Sequence, residues 1–116
     1  MKQFLLITIF LFIFSLNGKS AVQEVSQLDK MSYRIEKIYP NPAKNRLVVD
    51  LLSEEYLLVQ FELIDILGNK VKQWKKVEVA PGLQKLSFNL EEFSAGIYLL
   101  KAQAGREVIV ERIRKL

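Results

Sequence analysis

Apolar and polar residues alternate along much of the chain after residue 34 with a period of two, which is typical of β-strands that bury one face. The alternation is clearest over 47–52, 58–65 and 84–90. In 97–103 both faces carry apolar residues, which favours a strand in the centre of a sheet. The predicted strands are 35–39, 47–52, 58–65, 70–79, 84–90, 97–103 and 107–113.

Turn-forming residues separate these segments. Gly68-Asn69 follows an apolar run, and Pro81-Gly82 combines a fixed φ with a residue that tolerates positive φ. The spacing between Val71 and Trp74 breaks strict alternation and predicts a bulge near Gln73. About seven short strands, with turns every 8–12 residues or so, indicate an all-β chain folded as an antiparallel β-sandwich, with a barrel as the alternative.

The N-terminal segment differs from the rest of the chain. Lys2 precedes thirteen uncharged, mostly apolar residues, 4–16, which is fewer than the roughly 20 that a membrane-spanning helix needs. Small residues follow the apolar run. This layout predicts a cleavable signal peptide over 1–20, cut between Ser20 and Ala21, with a retained N-terminal anchor as the alternative.

Residues 21–34 separate the signal peptide from the first predicted strand. Their apolar positions follow no sustained period, which predicts a flexible linker, with a short helix as the alternative. The folded part is then 35–116, which is one domain of ordinary size.

Composition narrows the function classes. The chain has no Cys and no His, which excludes disulfides, thiolate chemistry, imidazole catalysis and metal sites built from these residues. Loss of Lys2 and Lys19 with the signal peptide lowers the formal net charge from +4 to +2. The sequence lacks the dense cluster of basic residues that would indicate nucleic-acid binding. We therefore expect no enzyme, no cofactor and no metal.

Several sequence motifs occur in a fixed order after residue 35. They are Tyr39-Pro40-Asn41-Pro42-Ala43, Leu63-Ile64-Asp65-Ile66-Leu67-Gly68-Asn69, Ala95-Gly96-Ile97-Tyr98-Leu99-Leu100 and a basic final strand. With this order and spacing, residues 35–116 resemble the C-terminal sorting domain, type A, of the type IX (Por) secretion system of Bacteroidetes.

The resemblance implies an immunoglobulin-like β-sandwich that has a targeting role and does no chemistry. In that family, a signal peptide carries the protein across the inner membrane, and an outer-membrane secretion translocon then recognises the domain. A sortase-like surface protease commonly removes it. The implied location is the periplasm in transit and then the cell surface or the medium, with membrane contact only through the signal peptide.

Ten residues of these motifs form the candidate sorting signal. They are Pro40, Asn41, Pro42, Asp65, Gly68, Gly96, Tyr98, Arg112, Arg114 and Lys115. Most also have a structural interpretation. The Pro-Asn-Pro turn can end an edge strand, and Asp65 with Gly68 suits turn chemistry better than a calcium loop. Gly96 can let the backbone bend into the following strand, and the Tyr98 hydroxyl is expected to bond a backbone group, as in a tyrosine corner.

The basic residues Arg112, Arg114 and Lys115 close the chain and have two interpretations. Charged side chains protect an exposed edge strand from pairing with other chains. Alternatively, these three cations dock on an acidic surface of the translocon.

A second function stays open at the level of sequence, that of a free-standing exported β-sandwich that binds carbohydrate or a cell-envelope protein. It predicts an exposed aromatic platform around Trp74, Tyr56 or Tyr33. Only about 14 residues separate the predicted cleavage site from the domain, where the family normally carries a large cargo. The sorting domain is therefore expected to be either the whole product or a tail separated from its cargo.

Overall fold

The computed structural model describes residues 31–116. The predicted signal peptide 1–20, its cleavage site between Ser20 and Ala21, and residues 21–30 of the predicted linker lie outside the described residues. Within the described part, no helix has the length and apolar character needed to cross a membrane.

Eight β-strands make up the regular structure of the described residues. They are β1 (Tyr33–Tyr39), β2 (Arg46–Ser53), β3 (Leu57–Asp65), β4 (Lys70–Gln73), β5 (Val77–Val79), β6 (Gly82–Asn89), β7 (Gly96–Ala104) and β8 (Glu107–Lys115). The prediction of an all-β chain is confirmed.

The strands form two antiparallel sheets. One has the order β1-β2-β6, and the other has the order β4-β3-β7-β8. Strand β5 also pairs with β3, along its first three residues, whereas β4 pairs with its later residues. Phe61 of one sheet and Phe88 of the other lie with ring centroids 4.9 Å apart, so the sheets face each other across one core. The β-sandwich prediction is confirmed, while the finer immunoglobulin-like assignment stays a prediction.

The core follows the alternation of the sequence. Leu47, Val49 and Leu51 of β2 are fully buried. On β3, the residues at positions 59, 61 and 63 are at most 1% exposed. The polar residues between them on β3 stay partly accessible. Burial of these alternate side chains is what holds the two sheets together, because the chain has no disulfide.

The predicted strand 70–79 is divided in two, which gives eight strands instead of seven. Trp74 leaves the strand path and packs its ring on Phe88, with ring centroids 4.8 Å apart. Its N–H donates to the Phe61 carbonyl at 3.1 Å, and its own carbonyl accepts from the Gln60 amide. These bonds replace the ladder that an unbroken strand would make. The irregularity predicted near Gln73 is therefore an interruption directly after that residue.

Strand β1 begins at Tyr33, two residues before the predicted start of the domain. Tyr33 is 2% exposed, and its one hydroxyl proton is shared between the Ala102 and Glu107 carbonyls, at 3.0 and 2.8 Å from the hydroxyl oxygen. The prediction of a linker through residue 34 is thus wrong for its last two residues. A buried aromatic with two hydroxyl bonds fixes the chain there.

Candidate functional site

The ten candidate residues meet at one end of the sandwich. Asp65 ends β3 and pairs with Tyr98 on β7, while Gly96 at the start of β7 pairs with Lys115 near the end of β8. The Pro-Asn-Pro turn leaves β1 at the same place and contacts β8. We call this region, made of turn 40–43, loop 65–69, the start of β7 and the last residues of β8, the Pro-Asn-Pro end.

The Pro-Asn-Pro turn docks on the free edge of β8. The Asn41 side chain accepts the Arg114 N–H through Oδ1 at 3.0 Å and donates from Nδ2 to the Arg112 carbonyl at 3.4 Å. Next in the chain, the Ala43 N–H donates to the Arg114 carbonyl, and the Leu116 N–H donates to the Ala43 carbonyl, both at 2.8 Å. Both peptide bonds that precede the two prolines are cis. Residues 41–43 therefore satisfy main-chain groups that an edge strand leaves open.

Tyr39 anchors the strand end that leads into the turn. Its hydroxyl donates to Asp50 Oδ1 at 3.1 Å and accepts from Lys85 Nζ at 2.8 Å. Lys85 Nζ also lies 3.3 Å from Asp50 Oδ1. The hydrogen bonds to Tyr39 and Asp50 raise the pKa of Lys85 above its ordinary value. The Lys85 ammonium group thus bridges the Tyr39 hydroxyl on β1 and the Asp50 carboxylate on β2.

Asp65 organises the loop between β3 and β4, as its predicted turn role requires. Its carboxylate accepts the N–H groups of Asn69 at 2.8 Å and Leu67 at 3.0 Å. These bonds, with the Asn69 backbone contributing most, lower the pKa of Asp65. Gly68 has a φ of 89°, which a residue with a side chain adopts at a cost. Residues 31–116 contain no group of three or more acidic side chains arranged to hold a metal ion.

Tyr98 makes the contact expected of a tyrosine corner. The residue is 7% exposed, and its hydroxyl donates to the Ser94 carbonyl, four residues upstream, at 2.7 Å. The bond closes the loop that delivers the chain to Gly96 at the start of β7. The structural role of Tyr98 is confirmed. Its ring packs in the core, 6.3 Å from the ring of Phe93 between centroids.

The basic residues at the end of β8 do not act alike. Arg112 and Arg114 are exposed, but Lys115 is 9% exposed and its Nζ donates to the Leu116 carbonyl at 3.3 Å. The prediction that Lys115 is a surface cation is therefore wrong. Alternation indicates why, since Lys115 lies two residues after the buried Ile113 and on the same face of the strand.

Two adjacent clefts flank Pro42. The first has a volume of about 460 Å³ and is lined by Pro40, Pro42, Lys44, Asn45, Arg46, Val48 and Leu116. The second has a volume of about 260 Å³ and is lined by Asn41, Pro42, Arg112, Ile113 and Arg114. Lys44 and Arg46, which the sequence interpretation passed over, thus join the candidate site. Their position directly after the turn motif was the signal that could have identified them.

The aromatic residues of the alternative function form no common platform. Tyr33 is buried, and Trp74 is half-buried against Phe88. Of the three residues proposed, only Tyr56 is largely exposed, at 81%. It lies at the opposite end of the sandwich, beside a groove that Ser32 and Glu107 also line.

We call this opposite region, made of Ser32–Tyr33, residues 54–58 and Ala104–Glu107, the Tyr33 end. Its groove has a volume of about 780 Å³ and none of the ten candidate residues lines it. Ser32 bonds the Glu107 carboxylate through its N–H, at 2.9 Å, and through its hydroxyl. Burial, with a smaller contribution from the Glu107 charge, raises the pKa of Tyr33 to about 12.

The family model described as a secretion system C-terminal sorting domain matches residues 37–115. Among solved structures, a selenomethionine-labelled β-glucosidase from Kluyveromyces marxianus is similar at 14% identity and a TM-score of 0.45, over 73% of this chain. This chain spans only 14% of the length of that protein. No curated protein sequence matches the chain.

The family match covers the whole Pro-Asn-Pro end and all strands of the fold except the first four residues of β1. It begins within β1 and ends at the last residue of β8, so it includes all ten candidate residues. A domain of this family is a sorting signal for type IX secretion, which means interaction with that machinery and export toward the cell surface or beyond. The subtype, type A, stays a prediction. Because the match extends over more than half of the sequence, the chain belongs to the C-terminal sorting domain family of the type IX secretion system.

Proposed function

We propose that residues 31–116 are a non-catalytic sorting signal that the outer-membrane translocon of the type IX system recognises at the Pro-Asn-Pro end. In this proposal the signal peptide 1–20 is removed between Ser20 and Ala21 as the chain enters the periplasm. The folded domain then passes from the periplasm to the cell surface or the medium.

The observation that carries the proposal is the docking of Asn41 on β8. Asn41 lies near the start of the family match and Arg114 near its end, 73 residues apart, yet they are hydrogen-bonded. The fold thereby makes one surface from motifs that are scattered along the chain. A receptor that binds this surface recognises the folded domain and not a linear peptide.

The non-catalytic part of the proposal rests on residue chemistry. The chain has no Cys or His, so thiol and imidazole catalysis are excluded. At the Pro-Asn-Pro end, the carboxylate of Asp65 is engaged in hydrogen bonds that hold loop 65–69.

Removal by a sortase-like surface protease is part of the same proposal, and the fold limits where the cut can fall. Ser32 bonds Glu107, and β1 from Tyr33 onward pairs with β2. An extended substrate must leave such pairings to enter a protease cleft. We place the cut before Ser32, where it separates the domain from whatever precedes it without unfolding the sandwich.

A reporter fusion tests the proposal. Residues 31–116 are placed behind a signal peptide and a fluorescent reporter, in a type IX-competent strain and in the same strain without the translocon. We expect surface reporter in the competent strain only. The fusion starts at Met31 so that Ser32 and Tyr33 keep their bonds. Periplasmic retention of a folded, protease-resistant fusion in the competent strain would contradict the proposal.

A further inference from the structure

We infer that the Pro-Asn-Pro end binds an acidic segment of a secretion-machinery protein, with one apolar side chain in the cleft beside Pro42 and carboxylates against the cations on both sides. This inference rests on the proposed function and specifies the chemistry of its partner.

The cleft offers a place for one apolar side chain. Its floor is formed by Pro40, Pro42, Val48 and Leu116, and Leu116 is 53% exposed. A volume of about 460 Å³ is larger than any one side chain and open to solvent, so a partner can enter it without rearrangement of the domain. Exposed apolar surface of this kind, rimmed by polar groups, marks protein contact sites.

Cations stand on both sides of Pro42. Lys44 and Arg46 line the first cleft, and Arg112 and Arg114 line the second. All four are exposed. Among residues 31–116, none of them forms an ion pair, since the pairs there involve Arg34, Lys70, Lys72 and Lys85. A positive surface left without internal partners is complementary to a negative one, which steers association and suppresses wrong partners.

The arrangement favours a polypeptide over a phosphate or a lipid headgroup. A single anion can neutralise one side of Pro42, but it leaves the apolar floor and the other pair of cations unused. An extended segment with carboxylates on both sides of an apolar residue contacts all three features at once. Aromatic and apolar anchors within a polar rim are the usual composition of a protein interface.

The surface is already formed in the described fold. Asn41 and Ala43 fix the turn to β8, and Tyr39 fixes the strand before it. A site that is held by main-chain bonds loses little freedom when the partner binds, which favours affinity. The cations supply specificity, and the fixed turn sets the distance between them.

Export of the full chain in a type IX-competent strain tests the inference. The variants are Lys44→Glu with Arg46→Glu, and Arg112→Glu with Arg114→Glu. The matched control is Lys75→Glu with Lys76→Glu, which makes the same charge change on exposed residues between β4 and β5. We expect at least tenfold less surface protein for either variant at the Pro-Asn-Pro end, and less than a twofold change for the control.

Two further variants separate charge from folding. Arg112→Lys with Arg114→Lys keeps both charges and should be exported within about threefold of the wild type. Leu116→Asp places a charge in the cleft at an exposed position and should reduce export several-fold. Trypsin resistance of the periplasmic protein reports whether each variant is folded. Folded charge-reversal variants that are exported as well as the wild type overturn the inference, and so does an equal loss in the control.

The partner's chemistry is tested on the protein purified from the periplasm of a translocon-deficient strain. One probe is a labelled ten-residue peptide of aspartates around a central leucine, and the other is vesicles that contain phosphatidylglycerol. We expect salt-sensitive peptide binding that weakens at least tenfold in Arg112→Glu with Arg114→Glu. Binding of vesicles but not of peptide overturns the inference in favour of a membrane. Failure of the wild-type chain to be exported at all contradicts the proposed function itself and is thereby distinguishable.

Discussion

The two ends of the sandwich tie the same pair of strands together in different ways. At the Tyr33 end, β1 is joined to the hairpin between β7 and β8 by a buried hydroxyl and by a serine bonded to Glu107. At the Pro-Asn-Pro end, the junction is made by Asn41 and by main-chain groups at the edge of β8. The first junction includes the buried bond of the Tyr33 hydroxyl, whereas the second includes the two exposed side-chain bonds of Asn41.

The two ends of the sandwich also differ in the charges around their clefts. The Tyr33 end places Glu55, Glu78 and Glu107 with a single Arg106 around its groove. The Pro-Asn-Pro end places four exposed cations around two clefts that share Pro42. Buried hydrogen bonds are suited to stability, and exposed unpaired charge is suited to recognition. On the proposed function, we expect variants at the Tyr33 end to lower stability and variants of the exposed cations at the Pro-Asn-Pro end to lower sorting.

The largest expected effect is at alkaline pH and belongs to the Tyr33 end. The pKa of Tyr33 is raised to about 12 from 10.0, so its stabilising effect is complete below pH 10 and is lost as the pH rises through 12. A shift of two units corresponds to about 3 kcal/mol of unfolding free energy. Denaturant unfolding between pH 9 and 12 should therefore show a steeper loss for the wild type than for Tyr33→Phe. Parallel curves would remove the special role of this hydroxyl.

Tyr33→Phe at neutral pH should lower the free energy of unfolding by about 1–2 kcal/mol, because the Ala102 and Glu107 carbonyls lose the hydroxyl proton that they share. The matched control is Tyr56→Phe, whose hydroxyl is on an 81% exposed residue, and we expect it to change stability by less than about 0.5 kcal/mol. Export of the folded Tyr33→Phe protein should stay at the wild-type level. A defect in its export would break the separation between the two ends.

Tyr98→Phe tests whether a buried residue of the Pro-Asn-Pro end affects stability without affecting export. The variant loses the bond to the Ser94 carbonyl, which should cost about 1 kcal/mol in chemical denaturation. Because Tyr98 is buried, the surface around Pro42 is unchanged and export should persist. A complete loss of export in a folded variant would show that the tyrosine corner itself is recognised.

Asn41→Ala should lower the free energy of unfolding less than Tyr33→Phe does. It should reduce surface export more than Tyr33→Phe does. The two side-chain bonds to β8 are exposed, so we expect a loss of about 0.5–1 kcal/mol. Hydrogen exchange of the Arg114 amide should become faster, since Asn41 no longer accepts that proton. Asn41→Asp keeps the acceptor for the Arg114 N–H and should exchange more slowly at that position than the alanine variant.

The smallest effect is expected at acid pH in the loop between β3 and β4. Hydrogen bonds from Asn69, Leu67 and Gly68 lower the pKa of Asp65 below 3.8. The stabilisation is present above pH 3.8 and is lost as the pH falls through the lowered value. Asp65→Asn should lack this part of the acid sensitivity when the two proteins are compared by thermal unfolding between pH 5 and 2.

Much of the fold could be predicted from the sequence because its cause is local. Alternation places Leu47, Val49 and Leu51 in the core, and the structure has them there. The tyrosine-corner bond of Tyr98 spans four residues and was also within reach. The position of Trp74 could not be predicted from the sequence, because its departure from the strand depends on a partner ring, Phe88, in the other sheet.

The candidate site was predictable in its residues but not in its assembly. The motifs identify Asn41 and Arg114 separately, but their hydrogen bond joins positions 73 residues apart, and no periodicity records such a contact. Lys115 was predicted to be exposed on the basis of its charge, although its position on the strand, two residues after Ile113, indicates burial. Lys44 and Arg46 directly follow the turn motif in the sequence, but that they line the cleft beside Pro42 depends on the path of the turn.

Measuring export and stability on the same variants tests whether sorting information lies at the Pro-Asn-Pro end and stability at the Tyr33 end. Surface export of the full chain is plotted against the free energy of unfolding for Tyr33→Phe, Tyr98→Phe, Asn41→Ala and Arg112→Glu with Arg114→Glu. We expect the last two variants to lose export well beyond their loss of stability, while the tyrosine variants lose stability and keep export. A single curve on which export follows stability for all four variants would contradict the account.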